Sequence, residues 1–241
     1  MRNVHRCTAL MLALGAWLLG GTPSNAAAAP PADSEVTYVD FQQMAVMPFF
    51  VGSRQPIVEE FMDKTLNCPV GELCEGAPGI EPGAGRALTR MVYEGLRARF
   101  GDQVVSLDQS RTAFVETVVD ESVDTARSLA QRLGRRMNAD YVVIGTLWRY
   151  RDRGAVPGMP DSPASVAFAL YLVEVDNGRR LWRGVYDETQ RQVTENMLQA
   201  GKYLKMGMRW LSAQELARYG VKQVLERFPT EEELKIPVAA P

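Results

Sequence analysis

The sequence predicts an α/β protein: one small domain with a mixed sheet, elements in the order β-α-β-α-β-β-β-α, and helices packed on the sheet. Three observations predict it. The stretch from Asp140 to Gln190 reads as three consecutive strands. Two stretches before it, and one after, carry apolar residues at spacings of three and four, the repeat of an amphipathic helix. At 241 residues, 46% hydrophobic and 23% charged, the chain has an ordinary globular composition with enough apolar material for one core.

The expected organisation is a signal peptide over 1–26, a flexible leader over 27–42, an α/β domain over 43–229 with an insert at 51–85, and a tail over 230–241. Arg2 and Arg6 precede an apolar run from Ala9 to Leu19, and small residues follow from Asn25 to Ala29, the three-part pattern of a secretory signal. Ser24-Asn25-Ala26 fits the cleavage requirement. Where a lipoprotein signal would end on cysteine this chain has Leu19-Gly20-Gly21-Thr22, so a free, non-lipidated product is expected in the periplasm. No other stretch approaches the roughly 20 apolar residues of a spanning helix. That expectation leaves room for peripheral association at the outer membrane.

The first core element is Met44 to Phe50, a short apolar run read as a buried strand ended by proline, which cannot donate to a central ladder. Val51 to Gly85 is rich in glycine, proline and charge and reads as an irregular excursion, either functional or idle. Gly85 to Phe100 is a helix: Leu88, Met91, Val92, Leu96 and Phe100 form one stripe and Gly101 stops it. Its arginines tempt towards an anion site, but with Glu94 among them a solvated face is the simpler reading. Gln103 to Leu107 reads as a short strand, and Ser110 to Thr117 as a short helix or an irregular link. Ser122 is the expected N-cap of the next helix, whose stripe is Ala126, Leu129, Ala130, Leu133 and Met137.

Tyr141 to Trp148 is β-branched and aromatic, the first strand of a meander. Ser165 to Val175 is the second, and Asp176-Asn177-Gly178 supplies the turn into the third, Leu181 to Tyr186. Thr194 to Met208 reads as a weakly patterned helix. Ser212-Ala213-Gln214-Glu215 is a capping box opening a last helix, with Leu216, Val221, Val224, Leu225 and Phe228 on its core face. Thr230 to Pro241 is expected to be a loose tail.

Signal removal takes Arg2 and Arg6 and no acid. The 27 basic residues become 25 against 29 acidic ones, a net charge of −4. Phosphate backbones need a basic face, so nucleic acid is not an expected partner. His5, the single histidine, is also lost, which excludes Ser-His-Asp and Cys-His catalysis and every His-ligated metal site from the mature chain.

Cys7 leaves with the signal. Cys68 and Cys74 remain, five residues between them, and in an oxidising compartment the simplest expectation is a local disulfide; a redox pair is the alternative, but its C-x-x-C spacing is not met. No nucleotide cradle, nucleophile elbow or metal-binding motif is present, so no catalytic, cofactor-binding or metal-ligating residues are assigned. Asp187 and Glu188 are adjacent on a strand and point to opposite faces, a poor geometry for an acid/base pair. Trp148 and Tyr150 share a face by period two and stand beside Arg149 and Arg151. These four are the candidate contact surface.

Short phrases then carry a resemblance: "VMPF" within Met44 to Phe50, "ADYVVIGTL" at Ala139 to Leu147 and "VDNGRRLW" at Val175 to Trp182. Over roughly Met44 to Phe228 the chain resembles bacterial envelope proteins of the TolB amino-terminal domain, CsgG and penicillin-binding-protein activator lipoprotein type. The resemblance implies a small α/β fold with no catalytic residues and a role in binding other envelope components. The chain departs from these proteins in lacking a lipid-bearing cysteine and in its 51–85 insert. The expected function is a non-catalytic periplasmic accessory protein of an envelope assembly or transport system, binding envelope proteins. The alternative is a soluble carrier of a glycan or small ligand.

Overall fold

The structure, a computed structural model, describes residues 37–52, 62–74, 79–156, 158–160, 162–190 and 211–238. The expected signal peptide and the helix expected over 194–208 lie outside the described residues. A mixed sheet is sandwiched between two helical layers in a single domain. Three strands come first, β1 (Thr37–Val39), β2 (Met44–Val46) and β3 (Phe50–Val51). Five helices follow: α1 (Met62–Asn67), α2 (Val70–Leu73), α3 (Ala84–Phe100), α4 (Leu107–Val115) and α5 (Ala126–Arg136). The meander is β4 (Tyr141–Arg151), β5 (Ser165–Glu174) and β6 (Arg180–Thr189), and α6 (Ala213–Leu225) and β7 (Ile236–Val238) close the chain.

In the five-stranded sheet β2 and β3 run parallel to β4, which pairs antiparallel with β5, and β5 antiparallel with β6. Being central, β5 is apolar on both faces: Val166, Phe168, Leu170 and Leu172 point one way, Ala169, Tyr171 and Val173 the other. Leu88, Val92, Leu96 and Phe100 of α3 and Leu216, Val221 and Val224 of α6 cover the first face. Leu129, Ala130 and Leu133 of α5, with Leu66 and Leu73, cover the second.

The predicted turn between β5 and β6 forms with one left-handed residue, Gly178 at φ 70°, whose N–H donates to the Glu174 carbonyl at 2.9 Å. At its other end β4 is set by Asp140, whose carboxylate accepts from the Gln42 and Gln43 N–H groups at 2.6 and 3.2 Å and so aligns β2 beside it. The Ser212 capping box is present: the Ser212 hydroxyl accepts from Glu215 N–H at 3.2 Å, and the Glu215 carboxylate accepts from Ser212 N–H at 3.0 Å.

Several expectations are corrected. The strand expected over 103–107 contracts to one parallel bridge, Val104 to Met44, because a 3-10 turn at Gly101–Gln103 and the start of α4 consume its ends. Thr125, not Ser122, caps α5, exchanging hydrogen bonds with Ser128 at 3.0 and 3.1 Å; Ser122 bonds Asp120 within the preceding turn. The inner end of the leader and the tail are not loose: β1 pairs antiparallel with β7, Tyr38 opposite Pro237. Tyr141 fixes that tail, its hydroxyl donating to the Leu234 carbonyl at 2.8 Å.

The insert also proves partly structural. Leu66, Val70 and Leu73, at helical spacings of four and three, are buried from α1 and α2. The backbone N–H groups of Val70 and Gly71 donate to the carbonyls of Asp124 and Glu121, which ties this segment to the entry of α5. Cys68 and Cys74 are free thiols here, not the expected disulfide. Cys68 ends α1 with its Sγ directed at the Thr65 carbonyl, 3.5 Å away, while Cys74 caps the far end of α2, so an intervening helical turn holds the two residues apart. Burial pushes the Cys74 thiol pKa above its ordinary value.

Candidate functional site

Alternation along β4 does not survive to its end. The β4–β5 register slips between Leu147 and Arg149, a β-bulge that inserts Trp148 as an unpaired residue. Before the bulge, even-numbered Val142 and Ile144 face α5; beyond it, Tyr150 faces the opposite core. Trp148 and Tyr150 therefore lie on opposite faces, and the expected four-residue surface divides. Trp148 packs beside the α5-side core, with Arg149 on that side and Arg151 following by alternation. Tyr150 is buried at 4% exposure, and burial, with Glu81 and Asp152 nearby, pushes its pKa up to about 12. The signal that could have revealed this, a bulge, has no mark in the side-chain pattern of this strand.

Beyond the apolar core under α5, the same face of the sheet carries polar and charged side chains. Arg149, Ala167 and Asp187 stand in one row across β4, β5 and β6, and Arg149 reaches over the small Ala167 side chain to pair with Asp187. Asp187 thus belongs to an ion pair, and Glu188, on the next residue, faces the other way. Val185, opposite Ala169, is 40% exposed. Arg183 lies over the Tyr171 ring, 6.0 Å from its centroid. The face also holds buried polar atoms with no hydrogen-bond partner among the described residues: Thr146 Oγ1, Trp148 Nε1, Arg149 Nε and Tyr171 Oη. In protein interiors such atoms are nearly always satisfied, so this cluster stands out.

Among the described strands, β6 pairs with β5 alone, and its ten residues present an outer edge of backbone donors and acceptors. A shallow hollow of about 360 Å³ lies along it, lined by residues including Trp182, Gly184, Val185 and Gln223. Trp182 packs edge-on against Phe228 with centroids 4.9 Å apart and so belongs to the core wall. No helix among the described residues is long and apolar enough to cross a membrane.

No family model and no curated protein matches the chain. Solved structures do resemble it. The PelC dodecamer from Paraburkholderia phytofirmans is 15% identical, with a TM-score of 0.41, over 79% of this chain and 93% of that one. The LpoB C-terminal domain from Escherichia coli is 15% identical, TM-score 0.35, over 63% and 86%. Lipoprotein GNA1162 from Neisseria meningitidis is 16% identical, TM-score 0.35, over 68% and 96%. Likeness this distant does not decide a function.

Proposed function

We propose that this chain is an exported, non-catalytic accessory protein of the bacterial cell envelope that binds a protein partner along the outer edge of β6 and the face carrying Trp148, Arg149 and Arg151. The observation that carries the reading is the ten-residue edge of β6, unpaired among the described residues and flanked by exposed Val185. An edge of this kind accepts a further strand, and backbone pairing supplies affinity while alternate side chains supply specificity. The secretory pattern at Arg2 to Ala29, the absence of histidine after cleavage and the resemblance of the strand phrases to envelope proteins support the compartment and the non-catalytic role. In-cell photocrosslinking tests it. A crosslinker at Val185 should capture a reproducible envelope protein, and one at Val115, exposed on α4 away from the edge, should not. Equal capture at both positions, or none at Val185, would overturn the reading.

One observation favours the second reading, a carrier of a glycan or small ligand: Thr146, Trp148 and Tyr171 hold buried polar atoms without partners on one face. A polar ligand would satisfy them. Tryptophan fluorescence that shifts with envelope extracts in the native protein, and not in Trp148→Phe, supports that reading over the first.

A further inference from the structure

Beside β2, at the edge of the sheet, residues of α3, α4 and α6 line a second hollow of about 510 Å³. Its lining includes four arginines from three helices: Arg86 and Arg90 of α3, Arg111 of α4 and Arg218 of α6. None of the four makes an ion pair or hydrogen bond among the described residues. The contrast within α3 is informative. Its other two arginines are engaged, Arg97 with Asp102 at 2.7 Å and Arg99 with the Leu225 carbonyl at 3.2 Å, whereas the two at its amino-terminal end are idle.

Helix stability does not account for that placement. Arg86 sits near the positive end of the α3 dipole, where a cation is unfavourable and no acidic residue of the first turn offsets it. Arg90 precedes Glu94 by four residues, the weaker orientation for a helical pair, and the two are not bonded. Leu107 and Asp108 in the first turn of α4, and Gln214 in the first turn of α6, line the same hollow. Three helices of nine or more residues therefore bring their amino-terminal ends to one place, each adding positive potential. Ser106 and Ser212 each accept from one first-turn N–H, of α4 and α6 respectively, and the four guanidinium groups add further donors.

We infer that the α3–α4–α6 hollow binds a small phosphate monoester. Four arginines against Glu94 and Asp108 leave an excess of two positive charges, which complements the nearly two negative charges of a phosphate monoester at neutral pH. Guanidinium forks match phosphate oxygens in pairs. The volume exceeds what inorganic phosphate fills, and Pro48, Ala87, Met91 and Leu107 offer apolar wall to the body of the ligand.

Either a soluble ester or a lipid headgroup presents this chemistry, and two probes separate them: glycerol 3-phosphate by calorimetry, and phosphatidylcholine vesicles containing phosphatidic acid by co-sedimentation. The native protein should bind one of the two. Binding should fall at least tenfold in Arg111→Gln/Arg218→Gln, whose side chains are exposed and unpaired, so that its thermal midpoint stays native. Arg97→Gln removes the same kind of charge from the same surface outside the hollow and should bind within twofold of native. Binding to the soluble ester identifies a carrier-type ligand, and binding to the vesicles alone identifies the headgroup. No binding to either probe, or equal loss in Arg97→Gln and the double variant, overturns the inference. Both outcomes are independent of crosslinking at Val185.

Discussion

Tyr171 and Tyr141 make a paired test of how this core is satisfied. Both are buried, at 0% and 2% exposure, on neighbouring strands. Tyr141 donates to the Leu234 carbonyl at 2.8 Å, while the Tyr171 hydroxyl has no partner among the described residues. A buried hydroxyl without a partner forfeits its hydration, a penalty of about 1–3 kcal/mol, and a made bond contributes about 1 kcal/mol net. Tyr171→Phe keeps the ring in place under Arg183 and removes only the unsatisfied oxygen, so it should raise stability by about 1 kcal/mol, or about 2–4 °C for a domain of this size. Tyr141→Phe should lower it by about 1–2 kcal/mol, since it strands the Leu234 carbonyl and loosens the β1–β7 pair. Urea denaturation of the two variants beside the native protein, with the slope held constant, measures both. A loss of 1 kcal/mol or more in Tyr171→Phe would refute the reasoning and show that the hydroxyl has a partner, such as bound water or ligand, in solution.

Gly145 lies against Phe49, and a Cβ there would stand 2.4 Å from the ring, so Gly145→Ala should cost about 1–3 kcal/mol in thermal or urea unfolding. Thr125→Ala should cost about 1 kcal/mol through loss of the α5 cap, and Ser122→Ala much less, which far-ultraviolet unfolding curves of the two would separate. Burial pushes the Tyr141 and Tyr150 phenols up to about 12 from the ordinary 10.0. The fold favours their neutral form, so that stabilisation is complete below pH 10 and is lost as pH rises through about 12. An alkaline titration followed by phenolate absorbance should show a late fraction that disappears in Tyr141→Phe/Tyr150→Phe.

The α/β class, the meander, the β5–β6 turn and the Ser212 cap were all legible in the sequence, because each rests on local chemistry: a period of two or four, a glycine at a left-handed position, a hydroxyl three residues before a carboxylate. The helical spacing of Leu66, Val70 and Leu73 was equally present, but glycine, proline and charge around it concealed it. The secretory pattern, and the position of the single histidine within it, likewise belong to the sequence alone. Only the tertiary structure decided the rest. The bulge at Trp148 separates Trp148 from Tyr150, since an inserted residue reverses every later side chain and depends on how β5 registers rather than on β4 itself. Thr125 replaces Ser122 as the cap because Asp120 and the first turn of α2 hold the preceding turn in place. The four arginines of the α3–α4–α6 hollow are far apart in the chain, and each alone reads as a solvated surface charge. Their convergence is a property of how three helices pack, which no local pattern contains.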